Sequence, residues 1–309
     1  MKNNNFLWFT LLILVTGCGQ AGQQSGTADS WHTGVKGLEM NFMEGAPPKI
    51  LYNAGGPYTG VLELWNKGTT KISTGNVYFS GFDTGIITGI TITSPAIIPE
   101  DLEPEETIET IEAITQYNHE GGYATMKEEA VNVIYAFPTG VLNTKIKATA
   151  LYPYETEFST DVCVDLKPYA QTEKVCNMAE KSVSGGQGAP VAVTGIVPQA
   201  MVDVIKYKVS IKNAGNGRVV KETSLDTAPS DLTIGDYDTV NVKGKPKLGN
   251  LEGRCQPSEI RLVNGNGFTF CTFSEAPKEA YVTRLDLKLE YGYMSSTEIG
   301  VEVRGTQTE

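Results

Sequence analysis

Histidine is almost missing from this chain: among 309 residues there are two, His32 and His119. That removes the side chain most often used as a general base and as a metal ligand near neutral pH. No Gly-x-Ser-x-Gly elbow, His-Glu-x-x-His helix or phosphate-cradling Gly-rich loop ending in Lys-Ser/Thr is present, so the common hydrolase, metalloprotease and nucleotide signatures are absent. Positive charge is also scarce, with 25 Lys and Arg against 36 Asp and Glu for a net charge of −11. A nucleic-acid partner is therefore not expected, because binding phosphates takes clustered cations. Tryptophan is limited to three residues, Trp8, Trp31 and Trp65, which leaves little material for an aromatic sugar-binding platform. No apolar run approaches the roughly 20 residues of a membrane-spanning helix. From these absences the chain is read as no enzyme and as requiring no cofactor.

The longest apolar run, Phe6 to Val15, follows Lys2 and has the length of a signal-peptide core. It leads into Val15-Thr16-Gly17-Cys18. With Cys18 set aside, Cys163, Cys176, Cys255 and Cys271 remain. An even number of cysteines in an exported chain reads as disulfides, and four allow three connectivities. Proximity favours Cys163–Cys176 and Cys255–Cys271. A zinc site is the alternative, but no Cys-x-x-Cys pair exists and no His lies near any of the four, unlike ordinary zinc ligand spacing.

With 33 Gly and 14 Tyr, the composition favours strands joined by tight turns. Thr144 to Tyr154 carries Ile146, Ala148, Ala150, Tyr152 and Tyr154 at alternate positions, and Thr283 to Tyr293 repeats the pattern with Leu285, Leu287, Leu289, Tyr291 and Tyr293. Period-2 alternation marks a half-buried strand. Upstream of each copy a strand stops at Asn-x-Gly, at Asn66-Lys67-Gly68 and again at Asn213-Ala214-Gly215, read here as a turn in which Asn and Gly accept positive φ. The same landmarks in the same order argue for tandem repetition. Further strands are expected at 38–42, 75–82, 85–92, 131–137, 158–166, 189–197 and 205–211, with a hairpin at Asn264-Gly265 between 260–263 and 268–273. The resulting division is a signal peptide 1–17, a flexible tether 18–36, a first domain 37–183, a linker 184–189, a second domain 190–304 and a tail 305–309.

Between the strands of the first domain, Glu100 to Glu112 holds seven acidic residues in thirteen. Carboxylates at Glu100, Asp101, Glu103, Glu105 and Glu106 are the oxygen ligands calcium uses, although the spacing is not that of an EF-hand loop. A solvated acidic loop is the competing reading. Ile108, Ile111 and Ile114 fall three apart, which leaves a short helical turn and a strand equally open.

Val15-Thr16-Gly17-Cys18 resembles the lipobox of prokaryotic lipoproteins. That resemblance implies that Cys18 is lipidated, becomes the mature N-terminus and anchors the chain outside the cytoplasm; an ordinary secretory signal is the alternative. The strand followed by Asn-x-Gly resembles the early strands of CARDB-like and related immunoglobulin-like modules of archaeal and bacterial envelopes. The expected fold class is accordingly all-β, with two tandem immunoglobulin-like β-sandwich domains after a signal peptide and flexible tether. The function this implies is a structural or adhesive one at the cell surface, with other envelope proteins or glycans as partners. The alternative is an envelope lipoprotein that binds glycan or Ca²⁺; a glycoside-type hydrolase using paired carboxylates comes third.

Overall fold

A computed structural model of the chain describes residues 31–90, 93–97, 110–135, 140–171, 173–201, 203–274, 276–277 and 279–305. The fold is all-β, built from antiparallel sheets consistent with sandwich packing. In chain order the strands of the first half are β1 (Leu38–Phe42), β2 (Ile50–Tyr52), β3 (Tyr58–Asn66), β4 (Gly75–Ser80), β5 (Ile87–Thr88), β6 (Thr93–Ile97), β7 (Tyr123–Val133) and β8 (Val141–Val164). There follow β9 (Lys181–Ser182), β10 (Val191–Met201), β11 (Val204–Asn213), β12 (Arg218–Val220), β13 (Thr239–Val242), β14 (Lys247–Leu248) and β15 (Leu251–Glu252). The last four are β16 (Arg254–Gln256), β17 (Glu259–Arg261), β18 (Asn266–Ser274) and β19 (Tyr281–Arg304).

Two of these strands organise the rest. β8 and β19 are each 24 residues long, several times the usual strand length of about 5–6 residues. They pair with each other, antiparallel and without a register shift, from Tyr281↔Val164 to Arg304↔Val141. The two sequence repeats are thus partners in one ribbon: Tyr154 lies opposite Tyr291, and Tyr152 opposite Tyr293. Alternation explains the burial. Ile146, Ala148, Ala150, Tyr152, Tyr154, Thr156, Phe158, Val162 and Val164 turn inward on β8, and Leu285, Leu287, Leu289, Tyr291, Tyr293, Val301 and Val303 on β19.

The ribbon carries one sandwich at each end. At one end β4 pairs with β8 over 147–151 and β2 runs parallel to β19 over 302–304. The sheet β1-β3-β7-β5 covers that half, with Phe42, Leu62 and Met126 closing on Phe79 and Ile146. At the other end β12, β13 and β14 pair with β19 between Leu285 and Met294. The sheet β16-β18-β11-β10-β9 covers this half, and the Tyr207 hydroxyl donates across the sandwich to the Cys163 carbonyl at 3.1 Å. Each long strand therefore serves both sandwiches: 141–151 pairs with 294–304 in one, and 155–164 with 281–290 in the other. A division of the chain at 184–189 leaves one strand of the ribbon on either side.

Several expectations are revised. The strand expected at 158–166 is the continuation of β8, not a separate element. The strand expected at 131–137 is centred earlier, at Tyr123–Val133, and only Ile87 and Thr88 of 85–92 are strand among the described residues. Of the two readings open around Ile111, helical turn or strand, its bridge with Ile72 is the extended one. The Asn264-Gly265 turn is present, with φ of 51° and 74° and reciprocal bonds between Val263 and Asn266, as a two-residue hairpin loop requires. Its arms then part, β17 to the ribbon sheet and β18 to the covering sheet.

The Gly-rich stretch at 184–189 and the end of the expected tether are held to each other. Gly34 donates to the Gly185 carbonyl at 2.7 Å, Gly188 donates to the Gly34 carbonyl at 2.9 Å, and Thr69 donates to the Gly188 carbonyl at 2.8 Å. Gln187 is buried, its amide exchanging two bonds with the Val193 backbone. The 184–189 stretch and Gly34 are thus hydrogen-bonded into the fold. Both proximity pairings of the cysteines are present as disulfides, Cys163–Cys176 and Cys255–Cys271. The second joins directly opposed residues of β16 and β18. Inside the loop closed by the first, Asp165 accepts from Lys174 at 2.7 Å and from the Lys167 N–H at 2.8 Å. Burial opposes ionisation of this carboxyl, but the ammonium and the N–H outweigh it and hold Asp165 below the usual carboxylate range.

Candidate functional site

The middle of the ribbon, where the two Tyr-x-Tyr pairs meet, holds a buried cluster of hydrogen-bonded side chains. Tyr152, Tyr154, Tyr291 and Tyr293 are each at most 2% exposed. Ring centroids lie 5.9 Å apart for Tyr152–Tyr154, 6.1 Å for Tyr152–Tyr293, and 6.3 Å for both Tyr154–Tyr291 and Tyr291–Tyr293. These are edge or tilted contacts of the kind aromatic quadrupoles favour. Buried phenols require partners, and here the partners follow a two-fold rule.

The second tyrosine of each pair addresses the Asn-x-Gly turn of its own repeat. The Tyr154 hydroxyl donates to Asn66 Oδ1 at 3.4 Å and accepts from the Thr70 N–H, while Asn66 Nδ2 donates to the Thr70 carbonyl at 2.7 Å. In the other copy Tyr293 donates to Asn213 Oδ1 at 3.2 Å and accepts from the Gly217 N–H at 2.8 Å, and Asn213 Nδ2 donates to the Gly217 carbonyl at 3.0 Å. The first tyrosine holds the opening strand of the covering sheet. Leu38 N–H donates to Tyr152 at 3.0 Å, and Val191 N–H donates to Tyr291 at 3.2 Å. Each first tyrosine also bonds a hydroxyl on the opposite strand, Tyr152 with Ser295 at 3.0 Å and Tyr291 with Thr156 at 2.9 Å. Thr156 and Ser295 stand four residues after Tyr152 and Tyr291 respectively.

The glycines of the two turns answer to space, not to φ. Neither Gly68 nor Gly215 has positive φ, nor do Asn66 and Asn213, which corrects the expectation for these turns. A Cβ on Gly68 would stand 1.9 Å from the Tyr154 hydroxyl, and one on Gly215 would stand 2.5 Å from the Tyr293 hydroxyl. Burial, first of all, pushes the four phenols up: Tyr152, Tyr154 and Tyr291 lie far above the ordinary tyrosine value. Tyr293 rises to about 12, its bonds to Gly217 and Asn213 offsetting burial only in part. At neutral pH the cluster is uncharged, with its hydrogen bonds committed to backbone and to the side chains of Asn66, Asn213, Ser295 and Thr156.

Beside this junction lies an open cleft of about 420 Å³, bordered by Lys36, Glu39 and Asn41 near β1, by Asn216, and by Ser295 and Thr297 on β19. On the outer face of the first covering sheet, Trp65 packs on Tyr123 at 4.4 Å with Lys67 over the indole at 4.5 Å. The Tyr123 hydroxyl donates to Glu63 at 3.0 Å.

The remaining sequence candidates separate cleanly. Cys18 and the five carboxylates Glu100, Asp101, Glu103, Glu105 and Glu106 lie outside the described residues. Glu112, at the end of the acidic stretch, pairs with Lys71 at 3.2 Å. His119 sits exposed in a loop whose neighbouring Glu120 carbonyl accepts from Lys67 at 3.0 Å. Among the described residues no three His, Cys, Asp or Glu side chains converge in a metal-holding group. The hydroxyl partners Thr156 and Ser295 were not recognised from sequence. The signal was a hydroxyl residue four places after the first tyrosine in both repeats, a spacing that keeps it on the same strand face.

No protein-family model matches the chain, and no characterised protein matches it in sequence.

Proposed function

We propose that the chain is an exported, lipid-anchored cell-surface protein with a structural or adhesive role and no catalysis. In this reading its two sandwiches are immunoglobulin-like modules, related to CARDB-like envelope modules, that have exchanged strands along the ribbon. The observation that carries it is the junction. Four buried tyrosines are wholly engaged in tying β8 and β19 to both covering sheets, a design for a stiff two-module body. Two disulfides fit an oxidising compartment outside the cytoplasm. The Lys2, Phe6–Val15 and Cys18 arrangement supplies the export and anchoring signal.

The test is mass spectrometry of the mature N-terminus from the native host, with fractionation of the cells. The expected result is a peptide beginning at Cys18 with a diacylglyceryl thioether, in the membrane fraction, and release of a Cys18→Ala variant from that fraction. A chain beginning at Met1 in the cytosol overturns the reading.

A further inference from the structure

The outer face of the second covering sheet has a charge opposite to that of the molecule. On β11, Ile205, Tyr207, Val209 and Ile211 point inward, so Lys206, Lys208 and Lys212 point out. The strand rises about 3.3–3.4 Å per residue, which spreads these three ammoniums along roughly 20 Å. Arg254 of β16 joins their row, since Arg254 pairs with Thr272 and Thr272 with Lys206. Between the cations stand Phe270, opposite Lys208, and Phe268, opposite Ser210. Phe268 is 48% exposed.

No carboxylate pairs with any of these four cations among the described residues, although the chain carries 36 acidic residues. Instead the ammoniums lean on rings: Lys208 lies 4.9 Å from the Phe268 centroid and Lys206 lies 5.6 Å from that of Phe270. Cation–π contact of this kind holds an ammonium in place without neutralising it. The result is a strip on which fixed positive charge alternates with aromatic surface, on a body of net charge −11.

We propose that this strip is a binding surface for an extended acidic polysaccharide laid along β11. The inference rests on the export reading, which puts the strip where such polymers occur. Carboxylates of the polymer meet Lys206, Lys208, Lys212 and Arg254, and the C–H face of a sugar ring packs on the open side of Phe268. A bilayer fits less well, because insertion needs protruding apolar groups and both rings here carry an ammonium over them. A duplex nucleic acid fits less well because its breadth brings phosphates against the acidic remainder of the surface.

The test is calorimetry of the purified oxidised protein with polygalacturonate, alongside neutral dextran, phosphatidylglycerol vesicles and single-stranded DNA. The expected result is binding of polygalacturonate that weakens as salt shortens the Debye length, with none to dextran. Lys206→Glu/Lys208→Glu lowers the affinity about tenfold or more and Phe268→Ala lowers it roughly severalfold, both with an unchanged melting temperature. No binding by the wild type, binding that the double variant leaves intact, or tighter binding to vesicles or DNA overturns the proposal. The assay uses purified protein, so its failure leaves the export reading untouched, and failure of export is read separately at the mature N-terminus.

Discussion

Tyr154 donates its hydroxyl hydrogen to Asn66, 88 residues earlier in the chain, and Tyr293 does the same to Asn213 across 80 residues. This relationship makes the two short repeats one device. Each Asn bends its own turn by bonding the carbonyl four residues on, and each tyrosine locks that turn against the ribbon.

Removing either hydroxyl leaves a backbone N–H without its partner, Thr70 in one copy and Gly217 in the other. Tyr154→Phe and Tyr293→Phe should each destabilise the protein by about 1–3 kcal/mol. The ring contacts survive in both variants, so the loss reports the hydrogen bond and not the packing. Denaturant unfolding at neutral pH checks this through a lower midpoint with an unchanged m-value.

Glycine substitutions should separate by place. Gly68→Ala and Gly215→Ala force a methyl into a tyrosine hydroxyl and neighbouring carbonyl or proline atoms, and overpacking of this kind costs about 1–3 kcal/mol or more. Gly300, within β19, has nothing within 4 Å of the Cβ position and no positive φ. Gly300→Ala should leave stability unchanged or raise it by about 0.5–1 kcal/mol. Thermal melting of the three variants side by side is sufficient.

The buried phenols set the alkaline limit of stability. A phenol whose pKa is raised by folding binds its proton more tightly in the native state. The stabilisation is complete below the unfolded value near 10 and is lost as pH climbs through the folded value, which for Tyr293 is about 12. Stability should therefore be flat up to about pH 10 and then fall. Absorbance titration should show the four junction tyrosines ionising only together with unfolding. At the acid end, hydrogen bonds from Thr233 and Ser224 hold the Asp236 carboxyl down at about 2, so the stability this group confers is complete above the ordinary carboxylate value near 4 and is lost progressively as pH falls from there through the folded value.

Much of the fold could be read from the sequence, because period-2 burial survives any choice of partner. Every inward residue anticipated in 144–154 and 283–293, from Ile146 to Tyr293, is buried. What alternation does not encode is which strand lies alongside. Two similar strands read naturally as counterparts in separate modules, whereas here each is the other's neighbour. Continuity past Tyr154 was hidden by Pro153, which normally marks a strand edge. Pro153 sits opposite Gly292, just beyond Leu151, where the β4 ladder ends. The Asn-x-Gly turns were located correctly but explained by φ, since the close approach of a tyrosine hydroxyl from 80 or more residues away leaves no local trace. The basic strip on β11 was visible as Lys206, Lys208 and Lys212 in alternation. Its aromatic partners come from β18, and only the pairing register brings them together.

The claim on which the rest depends is that β8 and β19 are shared, so that neither sandwich is complete without the other half of the chain. Fragments 31–183 and 184–305, purified separately and then mixed, test it by light scattering and thermal unfolding. Alone, 31–183 exposes a 24-residue strand without its partner and should self-associate instead of melting cooperatively. Mixed, the two should form a one-to-one complex with a single transition resembling that of the intact chain. A monomeric 31–183 that unfolds cooperatively on its own, indifferent to the second fragment, would contradict the account.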